Sequence, residues 1–299
     1  MFPVQVCGAQ VLVGPVGAAP EGAALDARLW SGQARLVADR RRAHLDVAGA
    51  ARFAIEAGAE VTVEPAVGCD PGLLANALYG TVAALVLAQR GEFALHASTV
   101  AIGPVGVALA GPSGAGKSTT ALALEGRRHR LVTDDVSPIR TAGTGLPEVV
   151  PFGRPAHVWP DTAIALGLDL TGSRLVDRRL TKLSLPARDN EPVSLHAVVL
   201  LRPGAAATGV DSHRGDLAGV AAGELAGVAA LLENVYRVRL LSRLWGPDLL
   251  GWAAGLARRL PVWVLTRPAG GWTVDEVASA VEAVGAGRQP AAARPPPAR

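Results

Sequence analysis

Val105–Asp135 reads VGVALAGPSGAGKSTTALALEGRRHRLVTDD, and this stretch decides the fold. An apolar run (VGVALA) leads into a glycine-rich loop, an apolar run opened by Lys117 follows, and a second short run (His129–Thr133) ends on two aspartates. That order reads as strand, loop, helix, strand, which predicts an α/β core. Within it, Gly111, Pro112, Ser113, Gly114, Ala115, Gly116, Lys117 and Ser118 fit the pattern GxxxxGK[ST]. Glycines let successive backbone N–H groups converge on one anion, and the helix that follows aims its positive end at the same point. Lys117 supplies an ammonium for the outer phosphates, and the Ser118 hydroxyl a Mg²⁺ ligand. Residues 111–118, with Thr119 behind them, are therefore expected to bind ATP with Mg²⁺.

Asp134 and Asp135 stand 17 and 18 residues after Lys117. A strand that leaves the loop's helix and ends in carboxylates returns them to the phosphates. One can hold Mg²⁺ while the other accepts a proton from an attacking hydroxyl. The expected division is Asp135 for the metal and Asp134 for the base. His96, in FALHASTV, lies on the preceding strand, which can deliver it to the same edge as an orienting group.

Outward from the loop, residues 1–69 alternate apolar and polar positions with glycine punctuation, as in ARFAIEAGAEVTVEP, where Gly58 marks a hairpin. This predicts a β-rich N-terminal part without a nucleotide site. Arg40–Arg42 reads as a solvated turn within it. Asp70 and Pro71 form an N-cap and first-turn pair, opening a helix that runs to Gly91. Its stretch from Pro71 to Gln89 carries no charge and is long enough to span a bilayer, but Asn76, Tyr79, Gly80 and Thr81 favour a buried core helix. Strands are expected over Phe93–Val100, Leu195–Leu201 and Pro261–Leu265, and helices over Gly223–Leu232, Asp248–Arg259 and Thr273–Val284. Residues 141–190 read as loops over the site. Residues 70–284 thus form the catalytic part, and 285–299, rich in Pro, Ala and Arg, a disordered tail.

The chain has 299 residues, of which 49% are hydrophobic and 18% charged, enough apolar side chains for a sizeable core. A net charge of +3 is small, so no nucleic-acid partner is expected, and no membrane partner. Two cysteines, Cys7 and Cys69, give no disulfide framework and no zinc pattern. With no signal peptide at the N-terminus, a reducing, cytoplasmic setting is expected. Of the 29 basic residues only Lys117 and Lys182 are lysine. A compact ammonium kept in so arginine-biased a chain is one whose point charge is needed, so Lys182 reads as a phosphate- or substrate-facing cation. Arg154, Arg178, Arg179, Arg237 and Arg239 are further candidates for acidic groups, and Trp159 reads as packing.

Leu95–Val136 (LHASTVAIGPVGVALAGPSGAGKSTTALALEGRRHRLVTDDV) resembles the catalytic domain of HPr kinase/phosphorylase, whose fold is shared with phosphoenolpyruvate carboxykinase. The shared features are the preceding histidine, the GxSGxGKS loop and the paired aspartates. Weaker likenesses to HPr-kinase-related proteins lie at Leu87–Gly91, Val158–Thr162 and Leu256–Pro268, while no EVRGLGIINV-like segment, associated with dephosphorylation, is found. The resemblance implies a P-loop kinase that transfers phosphate from ATP to a serine of a peptide or protein, among them lasso-peptide precursors. The N-terminal part is expected to recruit substrate or to mediate self-association into a homo-oligomer. A small-molecule kinase on the same fold and a non-catalytic ATP-binding regulator are the competing readings.

Overall fold

The computed structural model describes residues 3, 5–29, 33–141, 145–176, 182–186, 191–204, 218–267 and 273–288, without the side chains of 218–221. Strict alternation builds the first sheet. Ala43, Leu45, Val47, Phe53, Ile55, Val61 and Val63 are buried, while the residues between them face outward or lie at the edge of the core. Seven strands take part: β1 (Gln5–Val6), β2 (Ala9–Val13), β3 (Leu25–Leu29), β4 (Ala34–Ala38), β5 (Arg42–Val47), β6 (Ala51–Glu56) and β7 (Glu60–Pro65). Their order is β1-β2-β7-β6-β5-β4-β3, antiparallel except where β2 lies parallel to β7. The β6–β7 hairpin turns through Ala57 and Gly58, both at positive φ, as the Gly58 reading requires. Arg40 and Arg42 sit at the β4–β5 turn, paired with Asp248 and Asp39.

The inner face of this sheet is covered by the helix that Asp70 starts. Its carboxylate accepts from the Gly72 and Leu73 amides, and the helix runs as α1 (Pro71–Ala77), a π-helical stretch (Leu78–Val82) and α2 (Ala83–Gln89). By length and composition alone this helix could cross a membrane. Here Leu78, Val82, Leu85 and Val86 pack with Phe53, Leu45 and Leu36 in one core, where each large apolar side chain contributes roughly 1.5–3 kcal/mol. That core also takes in Leu241, Trp245 and Leu249, so the packing runs on across the expected boundary at 69/70.

The second sheet carries the loop. After α2 come β8 (Phe93–Leu95), β9 (Ala97–Ile102), β10 (Val105–Ala110), α3 (Lys117–Gly126), β11 (Arg130–Thr133), β12 (Ser137–Arg140) and β13 (Glu148–Val149). A small three-stranded sheet and a short helix follow: β14 (His157–Val158), α4 (Pro160–Ala165), β15 (Arg174–Leu175) and β16 (Leu183–Ser184), in the order β14-β16-β15. The chain continues with β17 (Val193–Pro203), β18 (Ala218–Ala221), α5 (Glu224–Glu233), α6 (Val238–Arg259), β19 (Val262–Arg267) and α7 (Val274–Gly285). The large sheet runs β11-β9-β10-β17-β13-β12-β8, with β19 beside β17 and β18 outside β19. Its centre, β10-β17-β19, is parallel, so all three strands deliver their C-terminal ends to one edge. Ligands of parallel sheets bind at that edge.

The structure departs from the sequence reading in four places. The expected Phe93–Val100 strand is broken at His96, whose amide donates to the Asn234 carbonyl (2.7 Å) instead of to a strand. Helix α6 begins ten residues before Asp248, because its first turns are kept apolar by burial against the first sheet, and it kinks at Trp245, just before Pro247. Residues 141–190 hold the small sheet and α4 as well as loops. Helix α7 runs through Gly285, and the amides of Ala286, Gly287 and Arg288 still bond to its carbonyls, so its end lies beyond the expected start of the tail.

Candidate active site

The loop after β10 is shaped by glycines with left-handed or still more extended positive φ. Gly111 (φ 137°), Gly114 (φ 80°) and Gly116 (φ 96°) all lie there, and a Cβ on Gly111 would collide with the Leu201 carbonyl oxygen. Gly116 is the N-cap of α3 and offers no side chain, so the first amides of the helix are left to an anion. Lys117 is 93% buried, as its 7% exposure shows, and its Nζ donates to the carbonyls of Gly111 (2.9 Å) and Pro112 (3.2 Å). Burial pulls its pKa below the ordinary lysine value, against the nearby pull of Asp135 and Asp134 upward.

A cavity of about 360 Å³ lies over this loop. Ser113–Thr120 form its floor, and His96, Asp135, His157, Trp159, Lys182 and Arg267 are among the side chains around them. Asp135 holds a left-handed φ of 65°, a conformation that Asp tolerates better than most residues. Its carboxylate pairs with Arg154 and lies 3.2 Å from His96 Nδ1. Burial alone would raise its pKa, but Arg154, His96, His157 and Lys117 outweigh that effect and hold the carboxyl below its ordinary value. His96 bridges the two charged groups. Nδ1 lies 3.0 Å from the Asp135 carbonyl and Nε2 3.2 Å from Lys117 Nζ, which together assign a neutral ring with the proton on Nδ1. Burial lowers its pKa, in keeping with that neutral form.

Asp134 is placed differently. It is 4% exposed and does not line the cavity. One oxygen accepts from the buried Ser98 hydroxyl (2.6 Å), the other from the His157 amide (3.1 Å). Beside it, Thr99, Thr133 and Ser137 share hydroxyl contacts of 2.7–2.8 Å beneath the turn. The expected proton acceptor is thus held inside the protein, and Asp135 is the carboxylate that the turn presents.

Of the other candidates, Lys182 lines the cavity, with Nζ 5.0 Å from the centroid of the Trp159 ring. Trp159 itself is 46% exposed at the cavity wall. Arg154 reaches the site through Asp135 while its other nitrogen donates to the Tyr79 carbonyl (2.9 Å), in the π-helical stretch. Arg237 lies instead against the Tyr236 ring, and Arg239 is exposed; neither lines this cavity. Arg178 and Arg179 lie outside the described residues.

Four residues went unnoticed in the sequence. Asn234, the C-cap of α5, accepts the Gly111 N–H through Oδ1 (2.9 Å), and the next strand-like step, Tyr236, bonds the Ala94 carbonyl. Arg267 at the end of β19 donates to the Gly114 carbonyl (3.2 Å). Ser98 and His157 complete the set. Only Arg267 had a readable signal, the C-terminal end of a strand parallel to the one before the loop.

The oxygen donors suit Mg²⁺. The Ser118 hydroxyl and Asp135 carboxylate line one cavity, while no group of three or more His, Cys, Asp or Glu among the described residues could hold a metal alone. Mg²⁺ is commonly held this way, by one or two protein oxygens together with phosphates and water.

Comparison with known proteins finds a family model described as "HPr Serine kinase C-terminal domain" over residues 87–147. An HPr kinase/phosphorylase of Exiguobacterium sibiricum is 53% identical over 53 residues, 18% of this chain and 17% of the relative. One of Bacillus mycoides is 34% identical over 131 residues, 32% of this chain and 42% of the relative. The matches thus span less than half the length of these curated relatives. A solved structure, the Hpr(Ser) kinase/phosphatase from Coxiella burnetii, aligns over 62% of this chain and 86% of its own with 15% identity and a TM-score of 0.31. From the end of α2 through the loop and the aspartate turn to the segment before β13, the chain is similar to the C-terminal domain of HPr serine kinases.

Proposed function

We propose that the chain is an ATP-dependent kinase that transfers a phosphoryl group to a serine hydroxyl of a peptide or protein, a ribosomally made natural-product precursor being one such acceptor. One observation carries the reading: the loop amides, Lys117 and Ser118 share a single cavity with Asp135, His96, Lys182 and Arg267. A polyphosphate needs such a ring of cations and amides, and a hydroxyl acceptor needs the one carboxylate among them.

The loop amides and Lys117 hold the phosphates, with Arg267 fixing the loop from its far side. Ser118 and Asp135 would hold Mg²⁺, which when bound offsets the charge of the phosphates. His96 orients Asp135 and Lys117 relative to each other. Asp135, kept ionised by Arg154, accepts the proton of the serine hydroxyl, which is too weak a nucleophile at neutral pH unaided. Asp134, locked by Ser98 and the His157 amide, fixes the turn that presents Asp135. Most of the acceleration comes from positioning and electrostatics, because the transition state is loose.

Calorimetric titration tests the nucleotide half of this reading. Lys117→Ala should weaken MgATP binding by more than about tenfold, or 1.4 kcal/mol; affinity equal to the wild type would refute it.

A further inference from the structure

A second cavity, of about 620 Å³, opens on the other side of Arg154 and His157. His157 lines both cavities, and Arg154 lines the second while it pairs with Asp135, which lines the first. These two side chains are the partition between them. The remaining walls come from the start of α1, from Tyr79, and from the edge strand β15. The volume lies within the roughly 300–1,000 Å³ usual for ligand sites and exceeds what one serine fills, so residues flanking a serine fit as well.

The β15 wall has the features of a peptide-binding edge. β15 pairs with β16 on one side and with no other strand among the described residues. Leu175 is 63% exposed there, and Arg174 beside it is exposed and in no ion pair among the described residues. An extended segment can pair with such an edge through its backbone. The one acidic side chain of this cavity, Asp70, turns its Oδ1 to the amides of Gly72 and Leu73 at the helix start, and Arg174 is the exposed cation at the rim.

We propose that the second cavity is the acceptor site: an extended polypeptide lies along β15, a carboxylate next to its serine pairs with Arg174, and the serine reaches past Arg154 and His157 to Asp135. This rests on the kinase reading above and names its substrate class, a serine with an acidic neighbour. In the step it serves, the serine oxygen forms a bond to the γ-phosphorus of ATP as the bond from that phosphorus to the β,γ-bridging oxygen breaks. The electron pair leaves with ADP, and the serine proton passes to Asp135.

The test uses the full chain, γ-labelled ATP with Mg²⁺, and a degenerate serine-peptide pool divided by the residue flanking serine: Asp, Asn or Lys. Two variants change the cavity alone, Arg174→Glu at its rim and Ala75→Trp in its wall, and calorimetry follows MgATP affinity in each. The wild type should favour the Asp pool over the Lys pool by at least about tenfold in kcat/KM. Arg174→Glu should reverse that order, and Ala75→Trp should lower transfer to every pool by at least about tenfold, both with MgATP affinity unchanged. Variants that transfer like the wild type would overturn the acceptor site and leave the kinase reading standing. A wild type that binds MgATP yet labels no pool would overturn the kinase reading and the site with it.

Discussion

Asn234→Ala removes the carboxamide behind the phosphate loop, and its consequence follows from two distances. Asn234 Oδ1 accepts the Gly111 N–H at 2.9 Å, and Nδ2 donates to the Ala230 carbonyl at 2.8 Å, while the backbone carbonyl that receives the His96 amide is untouched by the substitution. Alanine therefore leaves the partly buried Gly111 amide without its partner, at about 1–3 kcal/mol. Gly111 has little freedom to relax toward the sheet, because the Leu201 carbonyl oxygen fills the space where a Cβ would stand. The cost then falls on the shape of the loop, and water can recover part of it. At 1.4 kcal/mol per factor of ten, MgATP affinity should fall by about 5- to 20-fold. Calorimetric titration measures this directly, and thermal unfolding without nucleotide should show a loss of about 1 kcal/mol, the low end of the cost of the unpartnered amide. A dissociation constant within about twofold of the wild type, with unfolding unchanged, would refute the reasoning.

Two further substitutions probe the loop and the carboxylate. Gly111→Ala places a side chain at φ 137° against the Leu201 carbonyl, so it should lower stability by at least about 2 kcal/mol, read as a fall of several degrees in Tm. Arg154→Met removes the strongest of the groups that hold the Asp135 carboxyl below its ordinary value, so the acid limb of kcat/KM should move to higher pH. A depressed carboxyl contributes stability above its unfolded pKa, about 3.9, and loses it as pH falls through the folded value. The stability gap between wild type and Arg154→Met should therefore be present at neutral pH and narrow below about pH 4. A gap of constant size from pH 3 to 7, measured by denaturant titration, would contradict the pairing.

What could be read from the sequence was local. Residues 111–118 and the aspartate pair announce themselves because their chemistry needs fixed types at fixed spacings over a few residues. The N-terminal sheet was legible because one face is buried, so alternation survives in strands such as Ala51–Glu56. Which of two adjacent aspartates faces the cavity was not legible: that depends on the positive φ at Asp135 and on Ser98, 36 residues earlier, capturing Asp134. Asn234 was hidden for the same reason, since its partner Gly111 lies 123 residues away and a lone asparagine after a helix reads as a cap. The first turns of α6 escaped notice because they are buried on contact with a sheet more than 170 residues earlier in the chain, and local periodicity does not record that.

On the proposed mechanism, the cavity over the loop moves phosphate by way of Asp135. Its most direct test is transfer from γ-labelled ATP to serine peptides by Asp135→Asn, a substitution that tolerates the left-handed backbone and keeps the shape of the side chain. Transfer should fall by at least about 100-fold while the protein stays folded and still binds ATP. Transfer at the wild-type rate by Asp135→Asn would contradict the account.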